Sequence, residues 1–268
     1  MLLGMANTQN NQDHCFTEVR RRDKDRFLSG LFAPEPNRSR LFALYAFNAE
    51  LERLHAHVSE PMVGEIRLQW WRDSVEDIFN GGRPTAPIAA AMYDAIVEAD
   101  LPRGPIDKLI DAHGADLYEN ALSTPKDLEE YLASTDAALI LLACKILDGQ
   151  TSKGLGENAF VAEAAGLCGR AVGITRFVKR ARLGQTQLPI FATSIEFMDR
   201  AKAHLQDLKP ILKKTPWYAG PALLPASLAE LDLQRLRRAF DAKAEHYREP
   251  PVFRRQLRLF RARLTGRF

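Results

Sequence analysis

The chain has 268 residues, 46% of them hydrophobic, with a formal net charge of +3. That length holds one large domain or two small ones, and with no linker, repeat or low-complexity stretch a single domain is expected. The small charge gives no whole-molecule field of the kind nucleic acid attracts, so no nucleic-acid partner is expected.

Residues 1–22 read as a flexible leader, because 6–20 are polar and rich in Asn and Gln. The domain is expected over 23–268. Leu41, Leu44, Tyr45, Phe47 and Leu51 recur every three or four residues, which predicts an apolar helical stripe. Pro34 and Pro36 precede that helix, and Asn37 or Ser39 offers an N-cap. A second helix is predicted over 62–79, stopped by Asn80-Gly81-Gly82-Arg83-Pro84. A third covers 88–99, and a fourth runs from Pro105 toward Leu122. Thr124 suits an N-cap, with Pro125 in the first turn of a long helix over 126–147. The centre of that helix is apolar, which predicts burial.

The next predicted helix, 157–179, is rich in small residues, including Gly169 and Gly173, which permits close approach of a helix or a ligand. Further helices fill 194–207, 227–247 and 251–268. No segment alternates as a strand would, so the fold class is all-α.

Cys15, Cys144 and Cys168 are odd in number and far apart, as unpaired thiols in a reducing compartment would be. The apolar run from Ala137 to Cys144 is far short of the ~20 residues a membrane span needs. The opening Met1-Leu2-Leu3-Gly4-Met5 makes a poor signal peptide. A cytoplasmic chain is expected, with a peripheral place at the inner face of the membrane left open.

Two pairs of runs carry the most specific signal. Leu44-Tyr45-Ala46-Phe47-Asn48-Ala49-Glu50-Leu51-Glu52 is followed by Gly64-Glu65-Ile66-Arg67-Leu68-Gln69-Trp70-Trp71-Arg72-Asp73. Later, Gly169-Arg170-Ala171-Val172-Gly173-Ile174-Thr175 is followed by Gln187-Leu188-Pro189. Together these resemble the squalene/phytoene synthase family over nearly the whole chain. The resemblance implies a single-domain helical bundle of the isoprenoid-synthase type. It places Tyr45, Trp71, Asp116, Gly169 and Gly173 around the family's pocket.

The family's enzymes carry two aspartate-rich motifs that hold magnesium against a prenyl diphosphate. Magnesium takes oxygen ligands and stabilises the leaving diphosphate. Carboxylates at i and i+4 share a helix face and make half of such a site. At the first motif this chain has Glu50 and Glu52, but the i+4 partner of Glu52 is Ala56. At the second it has Arg180 and Gly184. Arg170, Arg176, Lys179, Arg180 and Arg182 crowd that stretch with no acid after Glu163, and they repel a cation. Neither a metal nor another cofactor is expected, magnesium entering only if the chain is an enzyme after all. Arg170, Arg176, Lys179 and Arg180 are candidates for binding an anion directly, against the plainer reading of a solvated basic face.

Ala46-Phe47-Asn48-Ala49-Glu50-Leu51, the run from Trp71 to Ile78 and Thr135-Asp136-Ala137-Ala138-Leu139 resemble the family's non-catalytic branch. That resemblance implies a pseudoenzyme that assists assembly of respiratory complex I, with its subunits or assembly intermediates as partners. One alternative is a divergent transferase condensing two prenyl diphosphates, with Glu50, Glu52, Asp111 and Asp116 rebuilding a metal site. Another is a metal-free carrier of an isoprenoid or lipid.

Other features have bland readings. Asp73 and Asp77 read as a solvent-facing strip. His55 and His57 would point roughly 200° apart on a helix and chelate poorly. Cys144 and Cys168 read as inert core thiols. Of Trp70 and Trp71, one is expected inside and the other at a groove or contact surface. At the end of the chain Phe253, Leu257, Phe260 and Leu264 form one helical stripe among arginines. Docking of that stripe on the domain is expected; the alternative is membrane contact through Arg254, Arg258 and Arg261.

Overall fold

Thr124 opens a helix as its sequence predicts. Its hydroxyl accepts from Asp127 N at 3.1 Å, and the Asp127 carboxylate accepts from Thr124 N at 2.8 Å. This capping box satisfies two backbone donors, and Pro125 occupies the first turn, where it needs no donor. The computed structural model describes residues 2–54, 60–118, 121–149, 159–183, 195–243 and 247–266, with 2–7 described by backbone alone. His55, Ala56, His57 and Gly184 lie outside the described residues.

In chain order the α-helices are α1 (Leu2–Arg22), α2 (Lys24–Gly30), α3 (Asn37–Leu51), α4 (Pro61–Phe79), α5 (Pro87–Glu98), α6 (Arg103–Ala112), α7 (Pro125–Leu132), α8 (Ala138–Asp148), α9 (Ala159–Arg182), α10 (Ile195–Leu212), α11 (Gly220–Leu223), α12 (Pro225–Asp241) and α13 (Val252–Thr265). No strand occurs among the described residues, so the all-α reading holds. The predicted long helix is interrupted: a π-helical turn, Ala133–Ala137, separates α7 from α8. No described helix is long and apolar enough to cross a membrane.

Contacts divide the chain into two compact units, Met1–Ala121 with Leu142–Gly154, and Leu122–Leu141 with Leu155–Phe268. In the first, α3 packs against α1 and α5. Residues Leu41 to Ala49 are all buried, so the middle of α3 has no solvent face, where the spacing predicted a one-sided stripe. Its start also differs from the expected cap. Pro36 holds the N-cap position, and Glu35 accepts from both Ser39 N and Ser39 Oγ.

The segment read as a flexible leader is helical. Cys15 and Val19, one turn apart on α1, are fully buried. Phe16 packs edge-on against Phe27 and Phe42 with ring centroids 4.9 and 5.3 Å away. Those few apolar positions anchor an otherwise polar helix. Cys144 and Cys168 are buried, as core thiols should be.

In the second unit α9 packs against α10, α12 and the π turn. The π turn lies so close that a Cβ on Gly169 would stand 2.3 Å from Ala137 Cα. The last helix docks in the opposite sense to the expected one. Its buried residues are Arg255, Leu259 and Ala262, while Phe253, Leu257, Phe260 and Leu264 are exposed. The reason is a buried ion pair: Arg255 donates to both oxygens of Asp232 on α12, at 3.0 and 3.1 Å. A side chain that must find a buried carboxylate fixes the rotation of the helix, and the apolar stripe is turned outward.

Candidate functional site

The first acidic site is built in the last turn of α3 and is already neutralised. Asn48, buried one turn before Glu52, donates from Nδ2 to Glu52 Oε1 at 2.8 Å. Arg26 of α2 lies with Nη1 2.7 Å from Asp23 Oδ2 and 3.7 Å from Glu52 Oε1. Arg53 donates to Glu50 Oε1 at 2.9 Å, and Arg22 Nη2 lies 3.7 Å from the same oxygen. Arg22 also pairs with Glu18. Burial pushes the Glu18 carboxyl up, but the Arg21 and Arg22 guanidiniums outweigh it and hold it below its ordinary value.

Each surviving carboxylate of the motif thus faces an arginine. A magnesium ion would have to displace those cations and find further oxygens. Among the described residues no three His, Cys, Asp or Glu side chains are grouped to hold a metal. The described residues at the first motif, with an arginine at each carboxylate, do not fit the ion that the family's enzymes use.

Beside Glu50 lies a cleft of about 340 Å3, lined by His14, Glu50, Leu54, Arg67, Trp70, Trp71 and the stretch Ala86, Pro87, Ile88, Ala89. This is within the size range of small-molecule sites. Trp71 is buried, with its ring 4.8 Å from both Phe47 and Trp70; Trp70 is half exposed, so the pair divides as its sequence suggests. The cleft therefore brings Glu50 and Trp71 together. Tyr45 is not among its lining residues but sits in the core, with the Arg26 guanidinium 5.9 Å from its ring centre. Asp116 is occupied elsewhere, 2.7 Å from Nδ1 of the buried His113. His14, Arg67 and the 86–89 stretch carry no sequence signal for this cleft, because no spacing within one helix relates α1, α4 and α5.

The second motif's helix, α9, is held by internal ion pairs. Gly169, Gly173, Arg176 and Arg180 recur at i, i+4, i+7 and i+11 and share one face. The glycines make close contacts within the protein: a Cβ on Gly173 would stand 2.4 Å from Leu132 Cδ2 and 2.9 Å from Asp136 Oδ2. Arg176 donates to Asp136 Oδ1 at 2.8 Å. Lys179 Nζ lies 3.3 Å from Asp232 and 3.1 Å from Glu249.

Asp232 also accepts from the Tyr247 hydroxyl at 2.8 Å. Burial, with the Asp232 charge second, pushes that hydroxyl well above its ordinary pKa. Two of the four candidate anion binders, Arg176 and Lys179, are therefore committed to internal carboxylates. Arg170 lies elsewhere on the helix, near His204, whose imidazole is held below its ordinary value by burial first and by the Arg170 charge second.

Of the acidic series on other helices, Asp111 pairs with Arg72 at 2.9 Å and Asp107 with Arg103 at 3.0 Å. Asp73 accepts from Gln69 at 2.7 Å. These are surface helix contacts, not a rebuilt metal centre.

With the arginine-bridged carboxylates and the basic α9 in place, the relatives are informative. The human protein "NADH dehydrogenase (ubiquinone) complex I, assembly factor 6" is 28% identical over 253 residues, covering 84% of this chain and 74% of its own. The Bos taurus protein of that name is 34% identical over 134 residues, 50% of this chain and 40% of its own. The crystal structure of squalene synthase HpnC from Alicyclobacillus acidocaldarius superposes with a TM-score of 0.70 at 18% identity, over 87% of this chain and 95% of that one. That likeness shows the isoprenoid-synthase type of fold. The squalene/phytoene synthase pattern itself matches residues 19–190, and the chain belongs to the squalene/phytoene synthase family.

Proposed function

We propose that this protein assists the assembly of respiratory complex I as a non-catalytic member of its family. Its partners are then complex I subunits or assembly intermediates, met at the inner face of the membrane. One observation carries the reading: relatives named as complex I assembly factors match most of the chain, while the carboxylates left at the first motif, Glu50 and Glu52, both face arginines. Transferring two prenyl groups requires positive charge at two diphosphates, supplied by carboxylate-held magnesium in the family's enzymes. Here the first-motif acids already have cationic partners, and the second-motif position is Arg180.

Incubation of the purified protein with farnesyl or geranylgeranyl diphosphate and magnesium tests the non-catalytic half of the proposal. No squalene- or phytoene-type product is expected. Magnesium-dependent turnover would return the protein to the enzymes.

A further inference from the structure

The last helix presents an apolar stripe that the described residues leave uncovered. Phe253 is 71% exposed and Leu264 70%, with Leu257 and Phe260 about half exposed between them. On an α-helix these four fall within about 60° around the axis and extend roughly 16 Å along it. The helix is held from its other side by Arg255, Leu259 and Ala262. The same helical spacing puts Arg254 and Arg261 along one edge of the stripe and Arg263 along the other. No residue of α13 is acidic. Among the described residues neither Arg254 nor Arg261 pairs with a carboxylate, whereas Arg258, expected beside them at the membrane, is held by Glu230 of α12.

Trp217 adds to this surface. Its backbone carbonyl accepts from Arg263 Nη1 at 3.1 Å, the Arg263 guanidinium is 5.7 Å from its ring centre, and the residue is 74% exposed. An outward ridge of Phe and Leu, edged on both sides by arginine and flanked by an indole, matches a lipid interface. The apolar side chains enter the acyl boundary, the arginine stems reach back to phosphates, and the indole sits at headgroup level. Cations free of carboxylates select anionic lipid.

We propose that α13, with Trp217 beside it, is the surface by which this protein docks on an anionic bilayer, lying in the plane of the interface. The inference rests on the membrane placement proposed above and names the surface responsible; failure of vesicle binding would overturn that surface and leave the assembly role standing.

Sedimentation of the whole protein with vesicles tests it, comparing equimolar phosphatidylcholine and phosphatidylglycerol with phosphatidylcholine alone. Binding is expected to the anionic vesicles and to weaken as salt is raised. The pairs Arg254→Glu/Arg261→Glu and Phe253→Ser/Phe260→Ser should each lower affinity by about tenfold or more. Val97→Ser, an exposed position on α5, should bind as the parent does. Circular dichroism confirms folding of each variant, and the single Phe253→Ser carries the test if a pair fails to fold. Failure of the parent to bind, which would leave the stripe to a protein partner, overturns the proposal. So does equal binding by parent and variants, or equal binding to neutral vesicles.

Discussion

Arg176 on α9 donates to Asp136 in the π turn at 2.8 Å, with both side chains largely buried. The contact links a basic helix to a turn that departs from α-helical geometry, and it answers one of the cations that the sequence leaves unbalanced. Removing one partner of a buried pair strands the other charge, at a cost of about 3 kcal/mol or more. Asp136→Ala is therefore expected to lower the urea midpoint sharply. Arg176→Met/Asp136→Leu together should cost less than the sum of the single changes.

Gly169 and Gly173 make different close contacts. A Cβ at Gly169 meets backbone, Ala137 Cα and N at 2.3 and 2.4 Å, whereas one at Gly173 meets first the end of the Leu132 side chain. Backbone cannot step aside as a leucine methyl can. Gly169→Ala is expected to destabilise by about 2 kcal/mol or more, and Gly173→Ala by less. Gly104→Ala on α6, with no atom within 4 Å of the new Cβ, should be neutral or slightly stabilising. Thermal unfolding of the three variants gives the order.

Much of the helical framework was legible because its signals are local. Thr124 and Pro125 announce α7 within four residues, and Asn80-Gly81 closes α4 with Gly81 at a φ of +89°. The π turn was not legible, since nothing in Ala133-Ser134-Thr135-Asp136-Ala137 breaks a helical pattern. The α13 stripe was visible in its spacing, but which side turns inward is decided by Asp232, more than twenty residues away. The leader misled because composition outweighed two positions, Cys15 and Val19. At the candidate site the loss of acids was plain from Ala56 and Arg180. The pairing of Glu50 and Glu52 with Arg22 and Arg26 was not, because only packing of α1 and α2 near the end of α3 brings those side chains together.

Cys15 gives a pH signature. Burial, with the Glu18 charge second, pushes its thiol up from an ordinary 9.0 to about 12. A raised value in the folded state means that the folded protein keeps the proton after the unfolded chain has lost it. The associated stability is intact below pH 9.0 and drains away as pH rises toward about 12. Urea unfolding across that window should show a steeper alkaline loss for the parent than for Cys15→Ala. Parallel curves would contradict the buried thiol.

Glu52 separates the two readings of the first motif. Glu52→Gln keeps an oxygen for Asn48 and removes only the charge facing Arg26. Arg26 is buried but keeps Asp23 at 2.7 Å, so the cost in stability should be about 1–3 kcal/mol, and a cell carrying it should assemble complex I normally. A function that used Glu52 to hold a metal would be lost with the charge.

The amount of assembled complex I in cells lacking this protein, read by native gel electrophoresis with in-gel NADH oxidation, decides the assembly role. The assembled complex should fall in those cells, and the parent gene should restore it. Normal assembled complex in the deletion strain would contradict that role.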